Sequence, residues 1–263
     1  MNRRTASLYT ALGLGYAFLY LPIVLLVIYS FNASKLVTVW GGFSTRWYGE
    51  LIRDEKVVNA AWLSLKVAVT TATSATFLGT LAAVLLVRFK RYPGSTLFAG
   101  MVAAPLVMPE IITGLAMLLL FVAMEQAIGW PAGRSMTTIV IAHITFCLSF
   151  VTVVVRSRLS QMDMSLEEAA SDLGARPLKV FLVITLPLIA PALVAGWLLA
   201  FTLSIDDLVI SSFVTGPSAT TLPIVIFSKV RLGISPEINA LASIFVAFVG
   251  CAIALGGSLS RKG

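Results

Sequence analysis

Three carboxylates stand inside long apolar runs of this sequence: Glu110, and the adjacent pair Asp206 and Asp207. An ionisable group at the centre of a bilayer costs from about 2.5 kcal/mol upward, so one that persists there faces a water-filled path or the interior of a helix bundle. Two roles are open. Carboxylates hold a passing cation through charge-assisted hydrogen bonds, and an aromatic face such as Trp197, about three helical turns before the aspartates, holds one through cation–π contact. Alternatively, the acids cap or pin broken helices, because Pro105 and Pro109 free backbone groups near Glu110. On a continuous helix adjacent residues point ~100° apart, so Asp206 and Asp207 cannot share one narrow face. One is expected to face a path and the other a neighbouring helix.

Other chemistries find less support. His143 is the only histidine, which excludes a histidine-based metal cluster. Ser204 lies two residues from Asp206, a spacing that turns them to different sides of a helix, and His143 is on another span, so no hydrolytic trio is expected. Cys147 and Cys251 both fall in apolar runs, where a thiol behaves as a small hydrophobe. They give neither a disulfide framework nor metal-ligand spacing. No Gly-x-x-x-x-Gly-Lys-Ser/Thr phosphate loop occurs, so any ATP must be bound elsewhere.

The elements that must position these residues follow from composition. Of 263 residues, 58% are hydrophobic and 12% charged, against roughly a quarter charged in an ordinary soluble domain. Dividing the chain by the ~20 apolar residues that cross a ~30 Å hydrocarbon core gives an all-α polytopic membrane protein, a single transmembrane domain over 1–263. About six spans are expected, at residues 8–31, 58–87, 97–124, 136–155, 188–214 and 238–259. The first is longer than a signal-peptide core and lacks a small-residue cleavage pattern, so it reads as a retained span.

The net charge of +7 forms no continuous basic stripe, which argues for membrane orientation rather than nucleic-acid binding. One alternate set of segments holds 11 Lys and Arg residues and the other holds 8. The richer set clusters at span ends, as in Arg88-Phe89-Lys90-Arg91, and places both termini in the cytoplasm. Lys66 and Lys229, near outer span ends, are expected to snorkel to the interface. Residues 32–57, with Trp40, Trp47 and Tyr48, suit an interfacial helix, and 221–227 is too short to span, suggesting a re-entrant or surface-lying piece.

The segment Ser165 to Pro187 carries the most local information. Ser165 and Glu168 have the spacing of a capping box, so a helix is expected to begin there. Gly174 falls where a left-handed C-terminal cap is easiest, and Pro177 suits the first position of a second helix. A short helix, a sharp turn and another helix should project between the fourth and fifth spans.

The order Glu168-Ala169-Ala170, three residues, Gly174, nine residues, Ile184, one residue, Leu186-Pro187 resembles the EAA loop of ABC-importer permeases, with no departure in spacing. The resemblance implies a type I ABC-importer permease bundle in which residues 156–187 form a coupling loop that docks into a cytoplasmic ATPase. Glu168, Ala169, Ala170, Asp172, Gly174, Leu186 and Pro187 would make up that docking elbow. Phrases such as Tyr29-Ser30-Phe31-Asn32, Ala104-Pro105-Leu106-Val107-Met108-Pro109 and Ser204-Ile205-Asp206-Asp207 are similar to the polyamine branch, particularly putrescine importers. This implies an inner-membrane, multi-pass transport subunit rather than an enzyme, with Asp206, Asp207, Glu110 and Trp197 as path candidates. The implied partners are an ATPase dimer that binds the ATP and magnesium, a second homologous permease, a periplasmic polyamine-binding protein and membrane lipid, with no nucleic acid and no cofactor on this chain. The competing reading is an ion-coupled secondary transporter or channel for small organic cations, in which the acids relay protons.

Overall fold

The computed structural model describes residues 3–36, 39–89, 92–233 and 235–247. Regular structure among them is helical, apart from an isolated antiparallel bridge between Asn32 and Phe43. In chain order the helices are α1 (Arg3–Tyr29), α2 (Arg46–Arg53), α3 (Glu55–Arg88), α4 (Ser95–Val107), α5 (Glu110–Ile128), α6 (Met136–Ser160) and α7 (Ser165–Asp172). There follow α8 (Pro177–Val180), which runs through a π turn (Phe181–Thr185) into α9 (Leu186–Ile205), then α10 (Val209–Val214), α11 (Leu222–Leu232) and α12 (Pro236–Ala247).

Five described helical segments are long and apolar enough to cross a membrane: Leu8–Tyr29, Glu55–Arg88, Glu110–Ile128, Met136–Ser160 and Pro177–Ile205. At 34 residues, α3 reaches about 51 Å and overshoots the hydrocarbon core. The expected sixth span, 238–259, is described only as far as Ala247, and Cys251 lies outside the described residues.

Two expected spans are broken. Residues 97–124 are not one helix: α4 ends at Val107, Met108 is extended, and α5 begins after Pro109. The residue before a proline is driven out of the helical region by the pyrrolidine ring, and Pro109 has no N–H to continue the ladder. The fifth span starts earlier than 188, at Pro177, and stops at Ile205; Asp206, Asp207 and Leu208 separate α9 from α10. Hydropathy cannot register either break, because the flanking side chains remain apolar.

The chain divides into two compact units, Met1–Asn59 with Val225–Gly263, and Ala60–Ile224. In the first, side chains from Leu8 to Leu25 of α1 are exposed, as suits a lipid-facing span. Asn32 organises the following loop: its Nδ2 donates to the carbonyls of Leu36 and Val39, and its Oδ1 accepts from the N–H groups of Ser34 and Gly41. Trp47 Nε1 donates to the Asn32 carbonyl at 2.6 Å, fixing α2. Lys229 does not snorkel: its Nζ lies 2.7 Å from both Asp54 Oδ2 and Glu237 Oε1. Of residues 221–227, all but Thr221 belong to α11, too short at 11 residues to cross.

The second unit is built around α6, whose Ile139, Ala142, Cys147, Val151 and Val155 are fully buried. Glycines let its neighbours close in. A Cβ on Gly79 of α3 would lie 2.9 Å from Val151 Cγ1, and one on Gly196 of α9 would lie 3.3 Å from the same atom. Small residues at helix crossings permit such backbone approach, which supplies the dispersion contacts that hold membrane helices together.

Candidate coupling elbow and intramembrane polar knot

The turn between α7 and α8 is a complete Schellman motif. Gly174 N–H donates to the Ser171 carbonyl at 2.9 Å and Ala175 N–H to the Ala170 carbonyl at 3.1 Å. This requires Gly174 to be left-handed, at φ +82°, where only glycine avoids a Cβ clash. Arg176 is then extended ahead of Pro177, which opens α8 at its first position. The expected capping box is absent, however. Ser165 is already the first residue of α7, and its N–H is taken by Asp163 Oδ1 at 3.0 Å. That backbone bond, with one from the Ser165 side chain, holds the Asp163 carboxyl below its ordinary range.

The elbow is therefore rigid at its turn and open on one side. Glu168, Ala169, Asp172 and Gly174 are exposed and Ala170 is half-buried, while Leu173 is 89% exposed. Leu186 is half-buried and Pro187 exposed, at the start of α9 after the π turn. On the inner side, Glu167 Oε1 accepts from Arg88 Nη2 at 2.5 Å and from Thr185 Oγ1 at 2.6 Å.

The intramembrane acids have different surroundings. Asp207 Oδ1 accepts from Ile210 N–H at 3.2 Å and its Oδ2 from Ser211 N–H at 2.7 Å, so its carboxylate caps α10. His143 Nε2 faces Asp207 Oδ2 at 3.1 Å and Ser211 Oγ at 3.0 Å, and Nδ1 shares a 2.8 Å hydrogen bond with Ser204 Oγ. A carboxylate can only accept, so Nε2 donates to Asp207, while Nδ1 and Ser204 Oγ share the remaining hydrogen bond. The knot ties α6 to both halves of the broken span.

Ser204 and Asp206 stay apart as expected, but His143, on another span, does meet Ser204, and the acid it meets is Asp207. Helix packing brings His143 to Ser204, and the break, which places Asp207 off the helix, supplies the acid. Ser204 is buried, so the trio offers no open face to a substrate. Asp206 closes α9 as its C-terminal cap and is exposed. Glu110 is exposed in the first turn of α5, where a carboxylate complements the helix dipole. α5 packs directly on α10, a Cβ on Gly114 lying 2.7 Å from Phe213 Cδ2. Trp197 Nε1 donates to Thr73 Oγ1 at 3.2 Å, and its ring stacks on Phe201 with centroids 5.3 Å apart.

Sequence reasoning missed His143, Ser211, Glu167, Arg88 and Thr185. For His143 a signal existed, since a lone titratable group in an apolar span needs a partner. The partners of Glu167 are 79 and 18 residues away and left no local mark.

The described residues thus form membrane-spanning helices with an exposed helix–glycine–proline–helix elbow between two of them, the arrangement of a membrane transport subunit rather than a soluble domain. Residues 75–261 match the family described as binding-protein-dependent transport system inner membrane component, and the chain belongs to that family. It is 65% identical over 237 residues to the putrescine transport system permease protein PotI of Escherichia coli K12, covering 90% of this chain and 84% of that protein. It is 41% identical over 247 residues to the spermidine/putrescine transport system permease protein PotC of Haemophilus influenzae, covering 94% of this chain and 93% of that one. The fold is shared with a bacterial ABC transporter involved in alginate import, with TM-score 0.72 at 18% identity over 99% of this chain and 98% of that chain. The chain is accordingly a permease subunit of an ABC importer, a multi-pass protein of the inner membrane.

Proposed function

We propose that this permease carries polyamines, putrescine foremost, and that an ATPase dimer docked on the elbow drives it. The observation that carries the coupling half is the short helix of Glu168, Ala169 and Ala170, its first two residues exposed, locked by the left-handed Gly174. The cargo half is supported by the 65% identity to a putrescine permease and by exposed acids at helix breaks, chemistry suited to ammonium groups. Glu168, Ala169, Ala170, Asp172, Gly174, Leu186 and Pro187 form the docking elbow; Asp206, with Glu110 and Trp197, lines the path, while Asp207 fixes the break that presents Asp206. ATP and magnesium are held by the ATPase, a second homologous permease completes the bundle, a periplasmic polyamine-binding protein delivers cargo, and both termini face the cytoplasm. The chain itself supplies geometry and no covalent chemistry.

The complete complex in proteoliposomes tests this by uptake of radiolabelled putrescine. Uptake should require ATP and the ATPase and survive collapse of a proton gradient. Uptake that persists without the ATPase and stops with the gradient would establish the ion-coupled alternative instead. A single cysteine at Arg4 should label only from the cytoplasmic side; labelling from the opposite face would invert the orientation.

A further inference from the structure

A coupling helix transmits force only to what it is tied to. By chain connectivity α7 is tied to α6 and, through the Gly174 turn, to α8 and α9. Its only covalent route to α3, whose last turn carries Arg88, runs the long way through α4, α5 and α6. One carboxylate oxygen closes that gap: Glu167 Oε1 takes hydrogen bonds from Arg88 on α3 and from Thr185 at the end of the π turn. Arg88 also contacts the Met164 sulfur at the start of the elbow. The Arg88 and Glu167 side chains are 15% and 16% exposed, so water screens this pair less than an ordinary surface pair.

Two further features surround this oxygen. A cleft of about 470 Å³ opens beside it, lined in part by Val84, Phe89, Val180 and Phe181, leaving room for α7 to shift against α3. The π turn ends at Thr185, and such turns interrupt the helical ladder where a segment must adjust. Glu168, the next residue, is exposed at the rim of the same cleft, whereas Glu167 is half-buried against Arg88 and Thr185.

We infer that Glu167 is the positioning residue that couples the elbow to the second span: it joins α3 and the fifth span to α7, so that displacement of α7 moves them together. This rests on the permease reading above and extends it to a residue outside the docking elbow named there.

The test is the number of putrescine molecules imported per ATP hydrolysed by the complete complex in proteoliposomes, normalised to assembled complex. Glu167→Ala and Arg88→Ala should keep the ATPase bound and hydrolysing, while the ratio falls about tenfold, the size a charge-assisted hydrogen bond warrants. Exchanging the charges, Arg88→Glu with Glu167→Arg, should restore a large part of the ratio. An unchanged ratio in Glu167→Ala would overturn the inference, as would loss of ATPase binding with normal import per ATP in the complexes that remain. A wild-type complex with no ATP-driven import would instead defeat the permease reading, an outcome visible before any variant is compared.

Discussion

Asp206 and Asp207 are neighbours in sequence with divided employment. Asp207 spends both oxygens on two backbone N–H groups and on His143, and its side chain is 7% exposed, whereas Asp206 is exposed at the end of α9. Asp207→Asn should therefore lower thermal stability by about 1–3 kcal/mol, the cost of stripping a buried charge-assisted network. Asp206→Asn should leave stability intact and reduce uptake. Thermal unfolding in detergent beside transport assays checks both, and equal destabilisation by the two changes would contradict the division. The acids themselves were legible because charge inside an apolar run is conspicuous. Their allocation was not, because it depends on His143, 64 residues from Asp207, and on a helix break.

The Lys229 cluster makes a second residue-scale prediction. Its hydrogen bond to Lys229 chiefly holds Asp54 below the usual carboxylate range. Burial pulls Lys229 down, but its bonds to Asp54 and Glu237 outweigh this and lift it above its ordinary value. A depressed carboxyl contributes stability above its unfolded pKa and loses it as pH falls through the folded value. A raised amine contributes below its unfolded pKa and loses it as pH rises through the folded value. The stability difference between wild type and Lys229→Met should thus be flat between about pH 5 and pH 9 and shrink outside both limits. A difference that changes steadily across that window would contradict the pairing.

Among the elements, the elbow was the most legible, because its determinants are local: a glycine that must be left-handed and a proline that must start a helix. The capping box failed for an equally local reason, since Asp163 reaches the Ser165 N–H first. Broken spans were less legible. Pro105 and Pro109 were visible, but hydropathy carries no backbone information, and nothing in Ile205-Asp206-Asp207-Leu208 forbids a helix by propensity alone. Close packing of α3 on α6 was likewise silent, since Gly79 is unremarkable in sequence. Gly79→Leu should cost about 1–3 kcal/mol of stability through overpacking against Val151, and Gly196→Leu should cost less, because its Cβ has 0.4 Å more room (3.3 Å against 2.9 Å). Thermal unfolding of the two variants gives the order; a neutral Gly79→Leu would mean that α3 and α6 do not approach as described.

At the scale of the whole molecule, composition alone separates this chain from soluble proteins: 58% hydrophobic residues leave no soluble way to hide the apolar surface. The family match and the shared fold of a distant transporter carry the same conclusion from independent directions. What remains to be tested is the claim that a bundle without its own chemistry is worked from outside through one turn. Gly174→Val in the complete complex is the direct measurement, because a β-branched residue at φ +82° strains the turn without touching any span. The chain should still insert and pair with its sibling, while ATPase co-purification and putrescine uptake fall together to background. Normal ATPase attachment with normal import in that variant would contradict the account.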